Sequence, residues 1–281
     1  MDAVVLKSLP AFLEILGLDE EPLGLFYTDE APDGGFTPRP VDLPTREKEK
    51  RNEIDWQAVF GNFSCAIGYI WRARRKKTAA YFSAQRFGCP GAAFWFGFLN
   101  PQTETIIRYV STGIANWTEG ERYCESPEAL RRIFAYVDPR PALAKYCVLK
   151  PISRFADHEM PELVLFFCRP EPLCGLHQLA TFVTNDPQVV ASPWSASCGS
   201  LAAWPLHYLS RGQNRAVIGG WDPSARKFFK TDELSFTLPF TMFTEMLARH
   251  GESFLATRAW VTARKKIVRS RKAWGEHHPN E

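Results

Sequence analysis

Hydrophobic and polar positions along the chain alternate between two periods. In "KSLPAFLEILG" (7–17) the apolar residues fall at helical spacing and Gly17 stops the run, which predicts a first helix. "LGLFYTD" (23–29) is short and almost wholly apolar, the pattern of a buried strand. Residues 30–54 are rich in Pro, Gly and charge and read as loop. A helix is predicted over 62–77, with Arg72 through Lys77 at its C-terminal end, where cations favour the helix dipole. "TAAYFSAQRF" follows as a strand, and "CPGAAFWFGFL" as a helix with proline just inside its start. The pattern then gives a strand at "TIIRYVS", a helix at "SPEALRRIFAYV" and a strand at "KYCVLKPI".

In the second half, a strand is predicted at 161–168 and a helix at 172–184. "QVVASPWSAS" reads as extended chain and "CGSLAAWPLHYLSRG" as a helix. "RAVIGGWDPSARKFF" suggests two strands around a turn at Asp222-Pro223. "DELSFTLPF" is a further strand and "TMFTEMLARHG" a helix. Residues 252–274 form a basic amphipathic helix ahead of a polar tail that holds His277 and His278.

The two halves match in their cysteines. Cys65 and Cys89 open successive helices 24 residues apart, and so do Cys174 and Cys198. This predicts an α/β or α+β fold built by internal duplication, with helix-strand-Cys-helix units about a pseudo-twofold axis and a mixed sheet. Residues 1–251 form one duplicated domain (halves near 1–125 and 126–251), and 252–281 a basic appendage.

Composition refines this picture. Aromatic residues make up 14% of the 281, with 21 Phe and 9 Trp, enough for large buried surfaces or a flat-walled pocket. The net charge of +3 is too small to advertise nucleic-acid binding, so nucleic acid ranks last among partners. Arg264, Lys265, Lys266, Arg269, Arg271 and Lys272 crowd one segment, and the 258–272 helix either packs on the body through its apolar face or docks on an acidic partner, an anionic membrane surface or nucleic acid. The N-terminus lacks a signal-peptide pattern and no run is long enough to span a bilayer, so a cytoplasmic protein is expected, and a homo-oligomer is compatible with it. Seven cysteines without a framework of short spacings argue against structural disulfides.

A cysteine at a helix start meets unpaired N–H groups and the positive end of the dipole, which lowers its pKa. Thiolates attack electrophiles or bind soft metals. Cys65, Cys89 and Cys198 are therefore candidate metal ligands, with Cys174 as a further cofactor contact. Arg169 lies with Glu171 at a strand's C-terminal end, where open sheets place ligands, and is a candidate for an anionic group. Asp232 and Glu233 are adjacent, so on a strand they would point apart; a turn or cap suits them better. No His-Glu-x-x-His, nucleophile elbow or phosphate loop is present.

The stretches "CAIGYIWRARRKKTAAYFSAQRFGCPGAAFWFGF", "ELVLFFCRPEPLCGLHQLATF" and "FKTDELSFTLPFTMFTEML" resemble the family called domain of unknown function 169, over roughly residues 10–250. The resemblance implies functional cysteines at positions 65, 89 and 198 and an anaerobic context. It supplies no reaction, and a further cysteine pair that several members carry near "VIGGWDPSAR" is missing. The expected function is cofactor binding at the interface of two repeats. An iron–sulfur cluster is the leading group, with zinc, haem or no metal as alternatives. Two other readings stay open: a metal-free small-molecule binder walled by Phe94, Trp95, Trp194 and Trp204, and a thiol enzyme using Cys89 or Cys198.

Overall fold

The computed structural model describes residues 3–42, 44–99 and 103–275, with side chains from Lys7 onward. The tail with His277 and His278 lies outside the described residues. Seven strands form one mixed sheet: β1 (Leu23–Thr28), β2 (Ala80–Phe82), β3 (Tyr146–Pro151), β4 (Leu163–Cys168), β5 (Val190–Ala191), β6 (Ala216–Gly219) and β7 (Leu234–Pro239). Their order across the sheet is β2-β3-β1-β4-β7-β6-β5. All neighbours are antiparallel except β5 and β6.

The central strand β4 explains why the sequence shows an unbroken apolar run there. Leu163, Leu165 and Phe167 enter one core, while Val164, Phe166 and Cys168 enter another. Because successive side chains point to opposite faces, both faces of β4 are dry. Eleven α-helices are found among the described residues. Three of them, α1 (Ala3–Leu16), α8 (Pro170–Thr184) and α10 (Phe240–Arg249), supply the core of the first face.

The opposite face is covered by α4 (Ala66–Lys76), α5 (Pro90–Trp95) and a π-helical turn, Gly199–Ala203, that runs into α9 (Trp204–Ser210). Helix α7 (Pro127–Val137) adds Phe134 and Val137 to this face, helices α2 (Arg46–Lys50), α3 (Trp56–Gly61) and α6 (Glu104–Val110) lie between β1 and β3 in the chain, and α11 (Arg258–Trp274) follows α10. No helix among the described residues is long and apolar enough to cross a membrane.

Two elements differ from expectation. "TIIRYVS" is helix α6 and not a strand. Thr103 caps it by accepting from Ile106 N–H at 3.3 Å, and Glu49, on α2, accepts from the amides of Glu104 (2.7 Å) and Thr105 (3.0 Å). A carboxylate from far along the chain thus overrides local β propensity. After Asp222, the second expected strand is a 3₁₀ segment, Pro223–Phe228, because Asp222 Oδ1 accepts from Ser224 N–H at 3.0 Å and starts a helical turn. The loop expected over 30–54 also contains α2.

Matched cysteine spacing does not become matched placement. A twofold axis between antiparallel neighbours such as β1 and β4 would run perpendicular to the sheet and would keep each face on itself. Helices α4 and α8, set in register by Cys65 and Cys174, lie on opposite faces.

Candidate functional site

Three chain segments bring cysteines together on the face covered by α4 and α5. Cys65 is the N-cap of α4, with extended backbone, and Cys89 the N-cap of α5. The Ala92 N–H donates to Cys89 Sγ at 3.4 Å, and Pro90 fills the first helical position, where no amide is missed. Cys198 differs: its backbone is already helical, so it sits inside the first turn and not ahead of it. All three belong to the same apolar cluster, with Cys198 buried and Cys65 and Cys89 half-buried.

Backbone contacts tie the three segments. The Ser64 N–H donates to Gly88 O at 2.9 Å, which sets the residues preceding Cys65 and Cys89 side by side. Gly88 has φ +84, and a Cβ there would lie 2.5 Å from Ser64 O, so only glycine permits this approach. On the other side, a Cβ on Gly199 would lie 3.0 Å from Trp95 Cδ2, placing the residue after Cys198 against α5. The Ser197 N–H donates to Asp222 Oδ2 at 3.2 Å, which brings a carboxylate to the group.

The electrostatics follow from that crowding. Burial pushes the Cys89 thiol up to about 12; the Ala92 amide pulls it down, and the charges of Cys65, Glu121 and Asp222 push it further up. Burial and then Cys89, Cys65 and Asp222 raise Cys198 well above the ordinary thiol range. Cys65 is raised by burial, against the amides of Ile67 and Gly68. The expected lowering at helix starts is therefore reversed. Loss of water outweighs one or two amide dipoles, and sulfur faces sulfur where a cation would relieve the repulsion.

Two carboxylates join the site that the cysteine pattern did not reveal. Asp222 was legible only as a turn residue before proline. Glu121 sits in the aperiodic "TEGERY", which carried no signal. Its carboxyl is pushed up to about 7, first by desolvation and then by Asp222, although the residue as a whole is exposed. Its charge also reaches Tyr109, Tyr123 and Cys89. Around Cys198 the side-chain oxygens of Ser195, Ser197, Ser235 and Thr237 are buried without a hydrogen-bond partner. Ser235 and Thr237 alternate on β7 with Phe236 and Leu238 of the other core, so they face the cysteine side.

The remaining candidates lie elsewhere. Cys174 is exposed on α8, across the sheet, and its charge acts on Cys168. Arg169, the N-cap of α8, makes a loose ion pair with Asp19 at 3.7 Å and is not brought to the thiols. Both were expected near one cofactor; an α8 packed on the opposite face carries them away from it. Asp232 and Glu233 close the expected turn, where Glu233 N–H donates to Lys230 O at 3.1 Å, and the buried Glu233 side chain forms a bidentate pair with Arg74, through Oε1 at 2.6 Å and Oε2 at 2.9 Å. Phe94, Trp95 and Trp204 are core side chains, while Trp194 is exposed and its carbonyl accepts from Trp204 Nε1 at 3.1 Å.

As a metal site, the residues present fit in kind. They offer soft sulfur donors from three segments, a carboxylate beside them, and orphaned hydroxyls within reach of Cys198's turn. Among the described residues, no group of three or more Cys, His, Asp or Glu side chains is placed to hold a metal ion. No curated protein and no solved structure matches the chain. The profile of the domain of unknown function 169, described as uncharacterised ArCR, matches residues 11–249, a span that holds all three clustered cysteines and leaves α11 outside. The chain belongs to this family of domain of unknown function 169.

Proposed function

We propose that this protein binds a thiophilic redox or metal cofactor through Cys65, Cys89 and Cys198, with an iron–sulfur cluster as the leading candidate. The observation that carries the reading is convergence. Three cysteines from separate segments share one apolar cluster and act on one another's charge, as does Asp222, and the Ser64–Gly88 and Ser197–Asp222 hydrogen bonds tie their segments together. A cationic centre would offset the repulsion among them and displace their protons. Bound there, a cluster would supply one-electron chemistry, with three protein ligands leaving one iron for an outside ligand. Zinc is the runner-up because it accepts the same donors.

The role of duplication is part of the same proposal. In this reading the cysteine spacing is the trace of an ancestral duplication whose helices diverged, and Cys198 is the second-half cysteine that joins Cys65 and Cys89. A second reading has its own support: the charge of Glu121 reaches Cys89, and a carboxyl near 7 could take its proton in thiol catalysis.

The test is anaerobic purification, or reconstitution with iron and sulfide, followed by an absorption spectrum and metal analysis. The expected result is a brown protein with bound iron that each single Cys→Ser variant at 65, 89 or 198 loses or holds more weakly. A colourless, metal-free protein after reconstitution would count against it, and so would a full metal load in the triple variant.

A further inference from the structure

The helix outside the family match builds a second site. Helix α11 carries Arg258, Arg264, Lys265, Lys266, Arg269, Arg271 and Lys272 and no acidic residue. It docks on the first face through Trp260, whose Nε1–H donates to Ile15 O at 3.1 Å. Arg264 seats against Gly17, where φ is +70 and a Cβ would lie 2.6 Å from its Nη2. Between α11 and the ends of α1 and α8 lies a cleft of about 440 Å³, within the size range of small-molecule sites.

Its lining divides by chemistry. Val261, Ile267 and Val268 form an apolar wall, and Val261 and Val268 are 51% and 46% exposed. Arg169, Arg264 and Lys265 supply positive charge on the same cleft. None of the three is neutralised at close range. Arg169 has only its long contact with Asp19, and its Nε is buried without a partner. Arg264 donates to the carbonyls of Glu14 and Ile15, both at 3.3 Å, and among the described residues Lys265 has no ion pair. Among the described residues the one carboxylate lining the cleft, Glu171, is already held by Arg271.

We propose that this cleft binds a small amphiphilic carboxylate, its head on Arg169, Arg264 and Lys265 and its hydrocarbon along Val261, Ile267 and Val268. A small molecule fits better than an anionic membrane because, although Arg264 and Lys265 are exposed, the third cation, Arg169, is largely covered at 26% exposure, where a flat surface does not reach it. The site is separate from the clustered thiols, being on the opposite face of the sheet.

Calorimetric titration of the full chain with decanoate, below its micelle concentration, tests the proposal. Saturable binding is expected, weakened by salt, with acetate and decanol each failing to saturate because one lacks the tail and the other the charge. Lys265→Glu and Val268→Glu alter exposed positions and keep the fold, which a thermal melt checks; each weakens decanoate binding tenfold or more. No saturable heat with decanoate, equal binding of decanol, or unchanged affinity in both variants would overturn it. Sedimentation with anionic vesicles in the absence of decanoate binding would also overturn it, in favour of a membrane surface.

Discussion

Alkylation of Cys89 across a pH series asks whether burial or the helix start governs its thiol. Its protonation is shifted from an ordinary value of 9.0 to about 12. At neutral pH that leaves a thiolate fraction about a thousandfold smaller than that of an ordinary thiol, since each unit is tenfold. The opposing pull is one Ala92 N–H at 3.4 Å, a weak sulfur hydrogen bond. Native protein is treated with iodoacetamide at several pH values and each cysteine is quantified by peptide mass spectrometry. Exposed Cys174 serves as the internal reference. Cys174 is expected to react first, and Cys89 to lag by orders of magnitude at pH 7, its rate still rising beyond pH 10. Rapid modification of Cys89 at pH 7, with a midpoint below 9, would refute the dominance of desolvation and favour the thiol-enzyme reading.

Other outcomes follow from particular contacts. Glu233→Ala removes the buried carboxylate from Arg74, whose side chain is 8% exposed, but leaves its second partner Glu20 at 2.8 Å, and should cost about 1–3 kcal/mol in denaturant unfolding. Glu121 binds its proton more tightly folded than unfolded, so its contribution to stability is lost as pH rises from 4.5 through about 7; Glu121→Gln should flatten that slope in thermal melts. Because the three clustered thiols are raised by burial, metal uptake must release protons, and apparent affinity measured by competition with a chelator should climb steadily with pH. Gly88→Ala meets Ser64 O at 2.5 Å and should destabilise the fold by about 1–3 kcal/mol while weakening metal retention.

Much of the fold was legible because local and tertiary signals agree. The run at Leu163–Cys168 is apolar at every position because both faces of β4 are covered, and Ser126 ahead of Pro127 marks the start of α7. Cys65 and Cys89 were readable as helix caps for the same reason. What could not be read depends on partners distant in sequence. Isoleucines 106 and 107 suggest a strand until Glu49 is seen to hold the amides that open α6. Equal spacing of Cys65–Cys89 and Cys174–Cys198 says nothing about which face of the sheet each helix takes. The sign of the thiol shifts was likewise hidden, because it is set by burial and by Asp222 and Glu121, which arrive from aperiodic segments.

The central claim is that the sulfurs of Cys65, Cys89 and Cys198 bind one centre together. X-ray absorption at the edge of the metal retained after anaerobic reconstitution tests it most directly. The account predicts a first shell dominated by sulfur at about 2.3 Å, losing sulfur in each single serine variant. A shell of nitrogen and oxygen alone, or a protein that retains no metal with its three thiols free, would contradict it.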